Sequence, residues 1–276
     1  MARSRQPDEA VRRLRLISEE AQGLAKDLAG RNRQAAREEI EMIARELFTA
    51  ATGLDPVAQP VAVFDPSSPS TVGRFVGVAL VAQERVPLRS VAPFYGSGVY
   101  ALYYRGDFAP YGRLSKSETP IYVGKADPET TSAKSAQEQG ARLHRRLQDH
   151  AKSIGKATTT LAIDDFECRF LVVQSGWQDA AEKYLIDLFK PIWNSEINVC
   201  YGIGKHGDAA TTRANLRSPW DTLHPGRAWA AGSIADAKPP ARILDEIAAH
   251  LAANPPLQGE SDVLAKFFSD LRQQRS

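Results

Sequence analysis

The sequence contains few cysteines and no long apolar run, and both absences exclude classes of protein. Its 276 residues include only two cysteines, Cys168 and Cys200. Two cysteines in a chain of this length do not form a disulfide framework, and without a CxxC pair they do not complete a zinc site. No stretch of about 18 apolar residues indicates a transmembrane helix, and no signal-peptide segment follows the basic residues 1–6. We therefore expect a cytoplasmic protein that does not contact membranes.

The chain also lacks a strong charge of either sign. Lysine and arginine contribute 35 residues and aspartate and glutamate 33, so the formal net charge is +2. A large basic excess would indicate nucleic-acid binding, whereas here any basic surface has to be local. Apolar residues make up 43% of the chain, which is enough for a sizeable core in one large domain, with or without extensions.

The N-terminal sequence predicts two amphipathic helices, over residues 8–28 and 33–52. Apolar residues recur there at helical spacing, with charged residues between them. Prolines interrupt the segment 54–70, which predicts a linker. We interpret the two helices first as a structural arm, and the alternative is a dimerisation arm or a DNA clamp.

The centre of the chain changes to short aromatic and β-branched runs. Strands are predicted over 98–104, 120–124 and 164–174, and helices over 71–84, 138–153, 177–190, 240–253 and 260–273, with a loop-like segment over 194–239. This order predicts an α+β fold with a small central antiparallel three-stranded sheet flanked by helices. We divide the chain into an N-terminal helical arm and linker (1–70), a central domain (71–235) and a C-terminal helical extension (236–276).

Two tripeptides that combine glycine and tyrosine lie on the first two predicted strands. They are Gly98-Val99-Tyr100 and Tyr122-Val123-Gly124. On the helix that follows, Arg142, Arg146 and His150 recur at every fourth position and share one face. Strand tyrosines are commonly ordinary half-buried residues, and a basic helix stripe is commonly a solvated surface, so neither feature identifies a site by itself.

The next predicted helix places a carboxylate on an apolar face. Glu182 lies in line with Leu185, Ile186 and Phe189. A buried carboxylate is costly unless it is paired or binds a metal, so Glu182 is either the partner of a core arginine or a ligand of a cation such as Mg²⁺. Asn194 follows the proline that ends this helix, and it fits a turn that caps local backbone or a site residue.

Taken in order, these residues resemble the GIY-YIG nuclease superfamily. The two tripeptides correspond to its name-giving motifs with valine for isoleucine, a conservative change because both are β-branched and suit a strand. The spacing of Arg146 and His150, and the position of Asn194, are similar to the restriction-enzyme branch. Residues 71–104 and 217–229 look similar to restriction endonucleases that cut a GC-rich, CCGCGG-like palindrome, so the resemblance covers roughly residues 70–230.

The resemblance implies Mg²⁺-dependent hydrolysis of phosphodiester bonds, with Mn²⁺ able to substitute, and products with 5′ phosphates and 3′ hydroxyls. Tyr100 is the first choice for the general base or relay, and Tyr122 is the second choice or orients the phosphate and water. Lys125 could lower the pKa of a tyrosine, or it could be a solvated loop lysine.

The same resemblance assigns roles to the downstream residues. Arg146 is expected to hold the scissile phosphate, and His150 to hydrogen-bond that phosphate or a tyrosine hydroxyl. Glu182 is expected to ligate the metal. Asn194 is expected to position the phosphate or the surroundings of Glu182.

The implied partners are double-stranded DNA and a second copy of the chain, because a twofold-symmetric homodimer suits a palindrome. A companion DNA methyltransferase is expected to protect the host DNA. The candidates for contacts with bases or phosphates are Lys125, Arg142, Lys205, Arg213, Arg217, His224 and Arg227.

Two other functions stay open from the sequence. A GIY-YIG repair or recombination nuclease would act on branched or damaged DNA, although no helicase-like, RING-type or helix-hairpin-helix module is recognisable. A catalytically inactive DNA-binding protein on the same fold would not need the full set of polar residues. Cleavage of plain duplex at a fixed site argues against the first, and any Mg²⁺-dependent cleavage excludes the second.

Overall fold

A computed structural model describes residues 6–27, 31–55, 57, 65–204, 216–233 and 235–272. The chain divides into two compact units, Met1–Val61 and Ala62–Ser276. None of the helices in the described ranges combines the length and the apolar character that a membrane crossing requires.

The first unit contains two helices, α1 (Gln6–Asp27) and α2 (Arg31–Gly53), which confirms the helices predicted there. Salt bridges between residues four apart, such as Arg37–Glu41, lie on their surface. Many apolar side chains of the two helices are nevertheless 40% to 77% exposed: Val11, Leu14, Leu16, Ile17, Leu24, Met42, Ile43, Leu47 and Phe48. This unit therefore leaves much of its apolar surface uncovered.

The second unit combines a small sheet with helices. Its main strands are β1 (Val86–Pro87), β2 (Gly98–Tyr104), β3 (Tyr122–Ala126) and β4 (Phe166–Val172). Its helices are α3 (Pro69–Val81), α4 (Arg142–Ile154), α5 (Gln178–Phe189), α6 (Pro219–Leu223), α7 (Ala228–Ala231), α8 (Pro240–Ala253) and α9 (Glu260–Arg272). Two further short strands, β5 (Leu216–Arg217) and β6 (Ala235–Asp236), pair in parallel.

The main sheet has the strand order β1-β4-β2-β3 and is antiparallel throughout. In the central strand β2, Tyr100 pairs with Gly124 on one side and with Phe170 on the other. The α+β class and the antiparallel sheet are confirmed, but the sheet has four strands instead of three. The additional strand β1 has only two residues and includes a proline, so it offers no alternation that a sequence pattern could reveal.

Alternation of side chains along β2 divides the core into two layers. One layer contains Tyr100 and packs against α4 through Leu143 and Leu147. The other contains Val99 and packs against α5 through Leu185. Helix α8 contributes to the first layer and α9 to the second. Every residue of β2 is buried, which explains its continuous apolar and aromatic sequence.

The predicted helices and strands lie within a few residues of the observed ones. The largest difference at an end is at α4, which begins at Arg142 and not at residue 138, because residues 127–141 form turns and bends. The segment 194–239 is more structured than expected, since its described part also contains α6, α7 and the β5–β6 pair. None of these elements exceeds five residues, so helical or strand periodicity could not reveal them.

Candidate active site

Both motif tyrosines meet the predicted histidine in one cluster. Tyr100 on β2 is fully buried, and its hydroxyl lies 2.6 Å from Nε2 of His150 on α4. The ring centroid of Tyr122 lies 6.0 Å from that of Tyr100 and 5.0 Å from that of His150. The face of α4 that covers Tyr100 therefore brings together three of the residues that the sequence singled out.

Gly124 permits this cluster to form. It lies opposite Tyr100 in the β2–β3 pair, and a Cβ on Gly124 would lie 2.5 Å from the Tyr100 hydroxyl. No side chain fits at that distance, so only glycine lets the Tyr100 ring lie across β3.

Arg146 is a cation whose charge affects the pKa of both tyrosines. It lies one helical turn before His150 and is partly buried. Burial raises the pKa of Tyr100 well above its usual range, and Tyr122 adds to that rise, whereas Arg146 opposes it. Burial also raises the pKa of Tyr122, again against the effect of Arg146. Arg146 thus fills the role that we considered for Lys125 from the sequence.

Glu182 presents its carboxylate to the same region from α5. Burial raises its pKa to about 7, Glu196 and Asp179 add to the rise, and Lys125 opposes it. The opposing cation is therefore Lys125 and not a core arginine, which was the alternative that the sequence left open. Lys125 is itself held by two carboxylates, Asp179 and Asp127, with its Nζ 3.0 Å from Oδ1 of Asp127. It is an ion-paired residue of β3 and not a solvated loop lysine.

Asn194 holds the strand that carries the second motif. Its Oδ1 accepts a hydrogen bond from the backbone N–H of Val123 at 3.0 Å, and its Nδ2 donates to the carbonyl of Val123 at 2.8 Å. Because β3 is at the edge of the sheet, these two backbone groups have no neighbouring strand to pair with. The buried amide of Asn194 satisfies both, so its partner is a distant strand and not the local turn.

Two cavities share Tyr122, Arg146 and Glu182 in their walls. The larger one has a volume of about 480 Å³ and is also lined by Lys125, Ala126, Asp127, Arg142, Arg145 and Asp149. The smaller one has a volume of about 190 Å³ and is also lined by Trp193, Asn194, Ser195, Glu196, Gly202 and Gly204. The shared residues offer a phenol, a guanidinium and a carboxylate, which are groups suited to the hydrolysis of a phosphate ester.

The donor set at Glu182 fits a single cation of the magnesium type. In the described part of the chain, no cluster of three or more His, Cys, Asp or Glu side chains is placed to hold a metal. A cation at Glu182 would therefore need water and phosphate oxygens for most of its ligands, which Mg²⁺ accepts. Burial disfavours the ionised form of this carboxylate, so a cation beside it would offset that cost.

The residues predicted to contact DNA differ in their positions. Lys125 and Arg142 line the larger cavity, and Nε of the exposed Arg142 donates to the carbonyl of Asp127 at 3.2 Å. Arg217 is partly buried, with its Nε 2.7 Å from Oδ1 of Asp236. Lys205 and Arg213 lie outside the described residues.

His224 and Arg227, by contrast, are core residues, and their predicted contacts with DNA are wrong for this structure. Nε2 of the fully buried His224 lies 2.6 Å from the Tyr111 hydroxyl, and its Nδ1 lies 2.8 Å from Oγ1 of Thr160. The buried Arg227 forms a salt bridge with Asp221, in which Nε lies 2.6 Å from Oδ1. The prediction failed because a segment rich in glycine and proline looks like a surface loop until its distant partners are known.

Two residues of the smaller cavity were not singled out from the sequence. Glu196 raises the pKa of both Glu182 and Tyr122. A Cβ on Gly204 would lie 3.2 Å from Nη2 of Arg146 and 3.4 Å from the Tyr122 hydroxyl, so the backbone there closely approaches the site. Neither residue lies in a helix or strand with a readable period, and the only available signal is that Glu196 follows Asn194 by two positions.

Comparison with known protein families agrees with this geometry. Residues 92–251 match the family model of the Eco29kI GIY-YIG domain. The matched range is more than half of the chain and includes both tyrosines, Arg146, His150, Glu182 and Asn194. No curated protein matches the sequence. The chain belongs to the Eco29kI GIY-YIG family, a restriction endonuclease family, and carries a GIY-YIG nuclease domain.

Proposed function

We propose that this protein is a type II restriction endonuclease that hydrolyses double-stranded DNA at a short palindromic site in a Mg²⁺-dependent reaction. One observation carries the proposal: Tyr122, Arg146 and Glu182 line the same cavities in a member of a restriction endonuclease family. The resemblance of residues 71–104 and 217–229 extends it to a GC-rich, CCGCGG-like site and to products with 5′ phosphates and 3′ hydroxyls.

Tyr122 is the better placed of the two tyrosines to act on the attacking water. It lines both cavities, whereas Tyr100 is fully buried. A general base has to come within hydrogen-bonding distance of the proton that it removes. We therefore assign the contact with water to Tyr122 and the relay to Tyr100, which reverses the order of preference stated from the sequence.

A chain of hydrogen bonds supports this assignment. When Nε2 of His150 donates to the Tyr100 oxygen, the Tyr100 hydroxyl can donate to the oxygen of Tyr122. Burial raises the pKa of Tyr122, and the positive charge of Arg146 and this hydrogen bond both oppose that rise. A phenolate at Tyr122 stabilised in this way takes the proton of the attacking water.

Arg146 is the residue that we assign to the scissile phosphate, because its planar fork of donors matches phosphate oxygens. Glu182 would hold Mg²⁺, or Mn²⁺ in its place, and the bound cation would supply positive charge at the phosphate and at the leaving oxygen. Asn194 acts by fixing β3, which carries Tyr122. Lys125 and Arg142 are the candidates for contacts with phosphates that flank the cut.

Digestion of plasmid DNA tests the proposal. The purified protein is incubated with plasmid in Mg²⁺, in Mn²⁺ and in EDTA, beside Glu182→Gln and a control, Asp187→Asn. Asp187 lies on the same helix as Glu182 but is exposed and pairs with Lys183, so the control removes an equal charge outside the cavities. We expect discrete fragments from the wild type and the control with divalent cation only, and cleavage reduced about 100-fold or more by Glu182→Gln.

The fragments also identify the substrate. Sequencing of their ends gives the recognition site, the cut position and the chemistry of the ends. Cleavage confined to branched or damaged DNA would assign a repair or recombination nuclease. Folded protein that binds DNA but cuts none of these substrates would assign an inactive binding protein.

We also propose that the enzyme works as a homodimer and that α1 and α2 form the contact between the subunits. Many apolar side chains of these two helices are exposed, and extensive exposed apolar surface commonly marks an interface. A second copy is the fitting partner because a palindrome presents two equivalent strands.

Sedimentation of the full-length protein tests the dimer. The variant Leu14→Glu/Phe48→Glu places two charges on the apolar surface, and the control Gln22→Glu/Thr49→Glu places two charges at exposed polar positions of the same helices. We expect dimers for the wild type and the control and monomers for the first variant. A monomeric wild type, or a first variant that remains dimeric, would exclude this contact.

A companion DNA methyltransferase would protect the host genome from this activity. DNA that is methylated at the recognition site should then resist cleavage. Equal cutting of methylated and unmethylated sites, compared on one plasmid, would argue against protection by that modification.

A further inference from the structure

One wall of the smaller cavity consists of backbone. Gly202 and Gly204 line it, and a Cβ on Gly204 would lie 3.2 Å from Nη2 of Arg146 and 3.4 Å from the Tyr122 hydroxyl. The backbone at Gly204 therefore adjoins the two residues that we assign to phosphate and water. A displacement of about 1 Å at such a position can lower a reaction rate about 100-fold.

Three consecutive carbonyls next to this wall are held by a segment later in the chain. The carbonyl of Tyr201 accepts a hydrogen bond from the backbone N–H of Trp220 at 3.0 Å. The carbonyls of Gly202 and Ile203 accept from Nη2 and Nη1 of Arg227 at 2.9 Å and 3.0 Å. One guanidinium thus binds the two peptide units that precede Gly204.

Asp221 and two indole rings fix the orientation of this guanidinium. The carboxylate oxygens of Asp221 lie 2.6 Å from Nε and 2.7 Å from Nη2 of Arg227. The centre of the guanidinium lies 4.6 Å from the ring centroid of Trp220 and 4.7 Å from that of Trp229. Edge contacts with a carboxylate and face contacts with aromatic rings together define the plane of an arginine head group.

Gly202 adds a steric reason for the position of the wall. Its φ of +124° lies in the region that favours glycine, and a Cβ there would collide with Oγ of Ser218. Oγ of Ser218 in turn donates to Oδ2 of Asp221 at 2.6 Å. The backbone at Gly202 therefore packs tightly against Ser218, which in turn binds the ion pair.

We infer that Asp221 and Arg227 are positioning residues of the active site, which hold the backbone from Gly202 to Gly204 at the distance that suits the contact of Arg146 with the phosphate and of Tyr122 with the attacking water. The inference rests on the proposed nuclease function, and it replaces the contact with DNA that the sequence suggested for Arg227. A buried ion pair is a weak source of stability, because apolar side chains of similar volume often serve as well. Because Arg227 also binds two carbonyls next to the cavity, we assign the pair to positioning of this backbone and not to stability.

Two variants separate positioning from stability. Asp221→Leu/Arg227→Met replaces the ion pair by apolar side chains of similar volume, and it removes the donors to the carbonyls of Gly202 and Ile203. Arg227→Lys keeps a charge opposite Asp221 but loses the planar fork, so it remains informative if the double variant does not fold. The control Glu118→Leu/Arg169→Met removes a partly buried ion pair, with an N–O distance of 2.8 Å, from the opposite layer of the core. Arg85, which also pairs with Glu118, keeps Glu167 as a partner in this control.

Three quantities are measured for each protein: the thermal midpoint, hydrogen exchange of the amides of residues 201–204, and the single-turnover cleavage rate together with the Kd for DNA in Ca²⁺. For Asp221→Leu/Arg227→Met we expect a midpoint close to that of the control, faster exchange at 201–204 by about tenfold or more, and a cleavage rate lowered about 100-fold. The Kd for DNA should change about threefold or less, because the ground-state contacts with phosphates remain. Arg227→Lys should show the same pattern with a rate loss of about tenfold.

Each other result has a defined meaning. Cleavage within about threefold of the wild type in both variants would overturn the inference, as would unchanged exchange at residues 201–204. If the wild type cleaves no DNA, the proposed function fails, and the exchange measurement still decides whether the ion pair holds this wall.

Discussion

The hydroxyl of Tyr100 and Nε2 of His150 lie 2.6 Å apart, and both side chains are almost completely buried. Neither residue is therefore placed to touch a substrate, which favours, among the roles that the resemblance implied, the relay for Tyr100 and the bond to a tyrosine hydroxyl for His150. Their influence on the reaction has to pass through Tyr122, whose ring packs near both of theirs. In our proposal Tyr100 and His150 accordingly act as positioning residues.

Tyr100→Phe is expected to shift the pH dependence of cleavage. The variant removes the hydroxyl that lowers the pKa of Tyr122, so the rise of rate with pH should move to higher pH. At pH 7.5 the single-turnover rate should fall about 10- to 100-fold, whereas Tyr122→Phe should lose the rising limb. Rates measured from pH 6 to 10 check this, with Tyr184→Phe as the control because its hydroxyl donates to Asp270 in the other core layer. A wild-type profile in Tyr100→Phe would rule out the relay.

Asn194→Ala is expected to destabilise the nuclease domain. It leaves both backbone groups of Val123 without the hydrogen bonds that they make now, at a cost of about 1–3 kcal/mol for each buried group that stays unpaired. Asn194→Asp keeps the acceptor for the N–H of Val123 but loses the donor, so its loss should be smaller unless the new charge is buried as well. Urea unfolding measures both, with Asn254→Ala as an exposed control. Equal stability of Asn194→Ala and wild type would mean that water replaces the amide at the edge of β3.

The parts of the site that the sequence revealed lie on regular elements. Arg146 and His150 could be assigned to one face because a helix repeats every 3.6 residues, and burial of that face follows from the apolar stripe beside it. The position of Glu182 on a buried helix face could be predicted in the same way from its apolar neighbours. For strand β2, the run of residues buried on both sides explains why its bounds were predicted correctly.

The parts that the sequence did not reveal are contacts between distant segments. The pairing of Asn194 with Val123, and that of Asp221 with the carbonyl-binding Arg227, depend on how loops return to the sheet. Periodicity carries information only within one element, so it cannot show that a polar residue in a loop has a buried partner. This is why Arg227 was taken for a surface residue.

Glu182 is expected to make the metal-free protein less stable as pH rises from about 4.5 to 7. Burial raises its pKa from the usual 4.5 to about 7, so in this range the folded protein holds a proton that the unfolded chain has released. The stability present below pH 4.5 is then lost as pH rises through 7, by at most about 3 kcal/mol.

Urea unfolding in EDTA checks this effect of Glu182. The neutral variant Glu182→Gln should match the wild type near pH 4.5 and exceed it at pH 8. Added Mg²⁺ should restore stability at pH 8 to the wild type only, because the cation favours the ionised carboxylate. A difference between the two proteins that does not vary with pH would show that the pKa of Glu182 is the same in the folded protein as in the unfolded chain.

His224 is expected to make the protein less stable in acid. Its burial lowers the pKa to about 3, below the usual value of 6.5. Between these two pH values the unfolded chain binds a proton at this residue and the folded protein does not. The stability that His224 contributes is therefore complete above pH 6.5 and is lost as pH falls toward 3. Because Glu182 acts in the opposite direction between pH 4.5 and 6.5, the comparison is made in a Glu182→Gln background.

In that background, His224→Gln removes the titrating ring and keeps a side chain that can bond to Tyr111 or Thr160. The variant should be less stable at pH 7, since an amide replaces the two ring nitrogens imperfectly. Its free energy of unfolding should change less between pH 6.5 and 4 than that of Glu182→Gln alone, so the two curves should converge in acid. Parallel curves would mean that the folded protein accepts a proton at His224, and the cluster of Tyr111 and Thr160 would then have to bind an imidazolium.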